Sequence, residues 1–410
     1  MSQETQAKIE RFIEGRREEQ EAFLAELIKV PSDNPPGDCR AHAERTAELL
    51  MGLGFEVEHH PVPEASVRAA GMVAVVNLVV RRRFGDGPTV ALNAHGDVVP
   101  PGEGWTRAPY GAEVVDGWMY GRGVAVSKSD IATYAYALLA LEAAGPALAG
   151  AIELHLTYDE EAGGEIGPRW LLAQGISRPD YAIGPGFSYG VVTAHNGCLH
   201  LEVEILGRSA HAALPASGID ALEAATAVLG ALYEHRRSYG DIRSRTPGIG
   251  SPSLVIGLIE GGINTNVVPD RVVFRLDRRM IPEEDADQVE RHLCAVIEDT
   301  ASRHPGVRCT IRRILLARPL TPQPSSERLA VLLCHHASRL LGEEVRAHGV
   351  PLYTDGRHYA EAGIPTVLYG AGPHTIEEAN AHRADERLPL EVLPRATAVV
   401  ALALVDLLGS

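Results

Sequence analysis

No CxxC pair occurs among the five cysteines, Cys39, Cys198, Cys294, Cys309 and Cys334. An odd, scattered set excludes a disulfide scaffold and a CxxC-type zinc or redox module, and it implies reduced thiols in a cytoplasmic protein. Neither Cys39 nor Cys198 has a sequence neighbour that would activate it as a nucleophile. Basic charge is also short: 38 Lys and Arg stand against 54 Asp and Glu. That balance argues against nucleic acid or an anionic membrane as a partner. No uncharged apolar run reaches the length of a membrane span, and Met1–Gln20 is too charged for a secretory signal. Internal repeats and low-complexity tracts are missing too.

What is present fits an ordinary globular chain. Its 410 residues are 45% hydrophobic and 22% charged, too long for one core, so two domains are expected. Apolar residues Ile9, Ile13, Phe23, Leu24, Leu27 and Ile28 predict an amphipathic helix over the first thirty positions. A second helix spans 39–53, and strands follow at 55–60, 72–81 and 89–92. A long apolar helix covers 131–144, and a strand over 151–158 runs into Asp159-Glu160-Glu161. Helices alternating with apolar strands predict an α/β sheet.

The pattern changes after Val192. Residues 199–206 alternate apolar and polar, as a strand with one wet face does. A helix (219–239), two strands (253–260 and 272–279), a helix (284–303) and a strand (307–315) complete a βαββαβ order, the ferredoxin-like unit. The α/β pattern resumes at Pro319. The expectation is a discontinuous catalytic α/β domain (1–193 and 317–410) interrupted by an inserted domain (194–316).

The chemistry-bearing stretch is Leu92-Asn93-Ala94-His95-Gly96-Asp97, an apolar strand that delivers a His and an Asp to its carboxyl end. With it go Gly121-Arg122-Gly123, Asp159-Glu160-Glu161, Gly207-Arg208-Ser209-Ala210-His211, Asn266-Val267-Val268-Pro269, Asp277-Arg278-Arg279 and Ala381-His382 followed by Glu386. In this order the set resembles the M20 family of metallopeptidases and amidohydrolases over essentially the whole chain. The resemblance implies a dinuclear zinc domain and an inserted lid domain through which homodimers form.

Carried over residue by residue, the resemblance implies His95, Glu161 and His382 as metal ligands. Asp97 becomes the carboxylate that orients His95, and Glu160 the general base. His211 would stabilise an oxyanion across a dimer. Asn266, Arg279, Gly370 and Gly372 would hold a small carboxylate-bearing substrate, a guanidinium suiting bidentate binding. Arg279 could instead pair with Asp277 or Glu283. Thr354-Asp355-Gly356-Arg357 resembles a further family element near the site.

Two expected ligands are missing. The bridging acid should lie three residues after Gly-Arg-Gly, where this chain has Val126. A terminal acid should lie in Ile183-Gly184-Pro185-Gly186, and neither Pro185 nor Gly186 can ligate. Without a bridging carboxylate, two close cations lack charge compensation. The expectation is an amide or N-acyl hydrolase with one zinc or manganese at most. The alternatives are a metal-independent acid–base enzyme (isomerase, lyase or cyclase), in which Lys128 could take part, and a non-catalytic small-molecule binder. Asp130, His195, His358 and His374 carry no assignment.

Overall fold

The computed structural model describes residues 2–409. It is an α/β protein whose chain divides into two compact units. One comprises Met1–Thr193, Pro322–His348 and Thr354–Ser410; the other comprises Ala194–Thr321 with Gly349–Tyr353.

The first unit is built on an eight-stranded mixed sheet. At its centre, Thr89–His95 runs parallel to Ala151–Thr157 on one side and to Tyr181–Gly184 on the other. Thr366–Leu368 continues the parallel set beyond Tyr181–Gly184. These strands read as near-continuous apolar runs because helices cover both faces. Lys128–Ala144 buries Ile131, Tyr134, Leu138 and Leu141, and Val392–Leu408 is buried almost all round. Each such Leu contributes roughly 2 kcal/mol on burial.

Parallel strands place their carboxyl ends on one edge, and that edge organises the site. His95 is the last residue of its strand and lies opposite Thr157. Glu160 and Glu161 follow Thr157 directly in a 3-10 turn, Glu160–Ala162. Pro185 follows the third strand, and Tyr369–Gly372 the fourth.

The N-terminal prediction needs correcting. The single helix is two, Gln3–Gly15 and Arg17–Ile28, broken at Arg16 (φ −114°, ψ 12°). The second helix buries a polar residue, Gln20, whose amide donates to Thr397 Oγ1 at 2.6 Å. The break lets each half turn its own face inward, which apolar spacing alone did not reveal.

In the second unit the strands Gly197–Leu206, Ser253–Gly261, Arg271–Met280 and Arg308–Ala317 alternate with helices Ala221–Arg237 and Ala286–Ala301 in βαββαβ order. All pairings in the four-stranded sheet are antiparallel, with Gly197–Leu206 and Arg271–Met280 in the middle. Leu199, Leu201, Val203 and Ile205 face the helices and form the core of this unit with Phe274, Val228 and Leu293.

Candidate active site

Asp97 is the keystone of the first unit's site. Fully buried, it accepts hydrogen bonds from Asn34 Nδ2 (2.9 Å), Glu160 N (3.3 Å) and Glu161 N (3.1 Å). Its Oδ1 also lies 3.4 Å from His95 Nδ1, which is 3.0 Å from the Asp97 carbonyl oxygen. Nδ1 therefore faces acceptors only and carries a proton, leaving Nε2 directed away from Asp97. One carboxylate thus orients the imidazole and sets the turn that bears both glutamates.

The turn is clamped from its other side. Arg357 and His358 donate to the carbonyl of Gly163, His358 at 3.2 Å. Asp159 Oδ2 accepts from Ile166 N at 2.6 Å. Burial, and then each other's charge or that of Glu160, push the carboxyls of Asp159 and Asp355 well above the usual range. His358 thereby gains a positioning role that its sequence context did not suggest.

His95 Nε2 lies 4.0 Å from Glu160 Oε2, and donor atoms of His95, Glu160 and Glu161 all lie within 4.8 Å of one another. His382, at φ +60°, places Nε2 3.3 Å from Glu161 Oε1. His382 is half exposed and joins the group only through Glu161. Burial opposes a charge on His95, but Asp97, Glu160 and Glu161 outweigh it and raise its pKa well above the ordinary value. Burial, reinforced by Glu161 and Asp97, pushes Glu160 up to about 8 against the pull of His95.

The loop that carries Val126 lies beside this group. Val126 stands in a loop pinned by Glu386, which accepts from Gly123 N, Ala125 N and Val126 N and pairs with the buried Arg122 at 2.6 Å. The loop is held in place, but its side chain at 126 is a hydrocarbon that packs against the core. A Cβ on Gly186 would lie 2.9 Å from Tyr369 N, so position 186 has no room for a ligand. His95, Glu160 and Glu161 offer one imidazole and two carboxylates, a donor set that could hold a metal ion.

Other candidates are occupied elsewhere. Lys128, fully buried, donates to the carbonyls of Leu27 (3.3 Å) and Val30 (3.2 Å) at the end of a helix, and burial lowers it to about 7. Asp130 accepts from Ala371 N at 2.9 Å, and Gly372 N donates to Ser188 Oγ at 3.2 Å. A Cβ on Gly370 would meet Asp130 Oδ1 at 1.7 Å, and one on Gly372 would meet the Phe187 ring at 2.1 Å. The amides of Ala371 and Gly372 are spent inside the fold, and a side chain at Gly370 or Gly372 would collide with its neighbours. His374 stacks on Tyr189 and lies 3.0 Å from Glu343. Burial raises the Cys39 thiol, which fits an inert core residue.

In the second unit, His211 and Asn266 lie side by side. His211 bridges to Val267, and Ala212 N donates to the Asn266 carbonyl at 3.0 Å. Ala213 N donates to His211 Nδ1 at 3.1 Å, so the ring proton sits on Nε2, where it can donate outward. Arg279 is paired: its Nε and Nη2 hold Asp277 at 2.9 and 3.0 Å. His195 lies in this unit, fully buried, with Nδ1 2.9 Å from the Asn196 carbonyl oxygen.

The pattern of peptidase family M20/M25/M40 matches residues 91–406. The chain belongs to that family. A succinyl-diaminopimelate desuccinylase of Gluconacetobacter diazotrophicus is 28% identical over 94% of this chain and 96% of its own length. An acetylornithine deacetylase of Edwardsiella ictaluri is 30% identical over 93% and 96%. In fold, an M20 family metallo-carboxypeptidase of Sulfolobus solfataricus superposes with a TM-score of 0.76 at 16% identity, covering 94% of this chain and 99% of that one. Within this M20 chain, Asn34 and Ser127 are residues beside the site that sequence reasoning missed, and Asp159, quoted in its motif, had been given no role. Ser127 Oγ accepts from His95 N at 3.2 Å, and only long-range contacts mark such residues.

Proposed function

We propose that this M20 chain hydrolyses an amide or N-acyl bond in a small carboxylate-bearing substrate, with one divalent cation, zinc or manganese, rather than two. The observation that carries the reading is the convergence of His95, Glu160 and Glu161 on a turn fixed by Asp97. His95 and Glu161 would hold the cation, with His382 reaching it beside Glu161. Such an ion supplies Lewis acidity at the scissile carbonyl. Names of relatives that remove succinyl or acetyl groups support the N-acyl class.

The chain's own residues do the rest. Glu160, beside the donors and not needed among them, takes the proton of the attacking water and returns it to the leaving amine. Asp97 keeps the His95 proton on Nδ1 and so keeps Nε2 facing the site. By the family resemblance, His211 of one protomer would offer its Nε2–H to a developing oxyanion across a homodimer. Asn266 beside it takes a polar substrate group, and Arg279 takes the substrate carboxylate by exchanging it for Asp277. Gly370 and Gly372 shape the wall through packing.

A homodimer through the lid accompanies this reading. The edge strand Ser253–Gly261 leaves Val255, Leu258 and Ile259 more than half exposed, the kind of edge that another chain covers. Among the described residues no helix is long and apolar enough to cross a membrane. A cytoplasmic setting is part of the proposal, consistent with five free cysteines.

The metal-independent reading is favoured by one observation, Val126 in place of the bridging acid. The two are separated by purifying the protein without chelator, counting metal, and assaying N-acetyl- and N-succinyl-amino acids before and after EDTA. EDTA-sensitive hydrolysis supports the proposal, and metal-free turnover replaces it. Tight ligand binding without turnover would make the chain a binder.

A further inference from the structure

A second cluster of ligating side chains lies on the solvent-facing side of the inserted unit's sheet. His200 and Asp277 stand directly opposite each other on the central strands, and Cys198 lies two residues along on the same face, opposite Arg279. Cys198 Sγ is 3.2 Å from His200 Nε2, His200 Nε2 is 2.9 Å from Asp277 Oδ2, and Sγ is 3.8 Å from the same Oδ2. Thiol and carboxylate meet one and the same ring nitrogen. That geometry is unlike a nucleophile–base–orienter relay, in which the two would sit on opposite nitrogens.

The neighbouring pairs on this face form an ion-pair ladder. Glu202 binds Arg275 and Arg312, and Glu204 binds Arg271. A ladder of that kind accounts for a His200–Asp277 pair. It does not account for a fully buried thiol within hydrogen-bond distance of the same nitrogen. A tetrahedral zinc ion with ordinary bond lengths separates S from N by about 3.6 Å, N from O by about 3.3 Å and S from O by about 3.5 Å. The three observed separations each lie within about 0.4 Å of these.

We infer that Cys198, His200 and Asp277 form a divalent-cation site for zinc or a similarly thiophilic ion, with a fourth position open to water or a ligand. The site lies wholly within the inserted unit; it shares the Arg279–Asp277 pair with the proposed substrate contact but rests on its own geometry. His200 and Asp277, each about one third exposed, give the ion its path from solvent. Binding moves the His200 proton from Nε2 to Nδ1 and releases the Cys198 thiol proton to solvent, one proton per ion. Arg279 Nε keeps its hold on Asp277 Oδ1, while Oδ2 gives up its bonds to Arg279 Nη2 and His200 and turns to the cation. The guanidinium charge opposes the ion, so the affinity is expected to be modest, and the sulfur ligand selects thiophilic metals over magnesium or calcium.

Cobalt(II) titration of the metal-depleted full chain tests this. A thiolate-to-cobalt charge-transfer band in the near ultraviolet reports sulfur ligation, and the His95–Glu161 group contains no sulfur. One equivalent of band is expected, kept in Glu161→Gln, abolished in Cys198→Ser and weakened at least tenfold in His200→Asn. No band at saturating cobalt, or a band that survives Cys198→Ser, overturns the assignment. X-ray absorption of the zinc-loaded wild-type protein needs no variant: a sulfur neighbour at about 2.3 Å is expected. A shell of nitrogen and oxygen alone contradicts it.

Discussion

The carboxylate of Asp97 accepts the backbone N–H of Glu161 at 3.1 Å while its other oxygen faces Nδ1 of His95 at 3.4 Å. A buried side chain that the sequence suggests only as an orienter of His95 therefore also sets the glutamate turn. Replacing it by asparagine leaves one acceptor oxygen and turns an N–H₂ toward groups that donate. For Asp97→Asn a stability loss of about 2–4 kcal/mol and a fall in kcat/KM of at least about 100-fold are expected. Urea unfolding alongside steady-state kinetics checks both. A stable variant with wild-type turnover would remove Asp97 from the account.

Glu160 lies within 4.0 Å of His95 Nε2 and is only slightly exposed. As general base, its loss in Glu160→Gln lowers kcat by about 100- to 10,000-fold with KM and melting temperature nearly unchanged. An equal rise in KM with kcat preserved would make it a substrate contact instead.

Gly370 and Gly372 separate a packing role from a binding role. Because a Cβ at 370 would lie 1.7 Å from Asp130 Oδ1, Gly370→Ala is expected to lower stability by about 2 kcal/mol or more. Differential scanning calorimetry checks this. An unchanged melting temperature with a raised KM would instead return the loop to the substrate.

Away from the site, Glu153 carries a pH signature. Burial, the largest influence, acts to raise its pKa, but His155, Ser177 and Arg81 outweigh it and hold the carboxyl down to about 2 from an ordinary 4.5. A depressed carboxyl contributes stability above its unfolded pKa and loses it as pH falls through the folded one. The difference in unfolding free energy between wild type and Glu153→Gln should be about 3 kcal/mol at pH 7. It should narrow steadily from about pH 4.5 down to pH 2. Chemical unfolding at a series of pH values reads it directly, and a gap constant across that window would contradict the assignment.

The fold was legible where periodicity is strong. Residues 199–206 alternate cleanly because one face packs on helices, and His95-Gly96-Asp97 stood out because an apolar strand ended on it. The strands Glu113–Val115 and Trp118–Tyr120 escaped notice, since three residues carry no period. Asn34 donates to Asp97 across 63 positions, a contact that no local pattern announces. The cluster of Cys198, His200 and Asp277 depends on strand register, which no local pattern encodes. The valine at position 126, by contrast, is read directly from the sequence.

The central claim is the number of ions at the His95 site. The most direct test is metal content by mass spectrometry in Cys198→Ser protein, where the cluster on the inserted unit is removed, compared with the same protein carrying His95→Ala. One equivalent, lost with His95→Ala and lost to EDTA together with amide hydrolysis, is predicted. Two equivalents, or hydrolysis undiminished in metal-free protein, would contradict it.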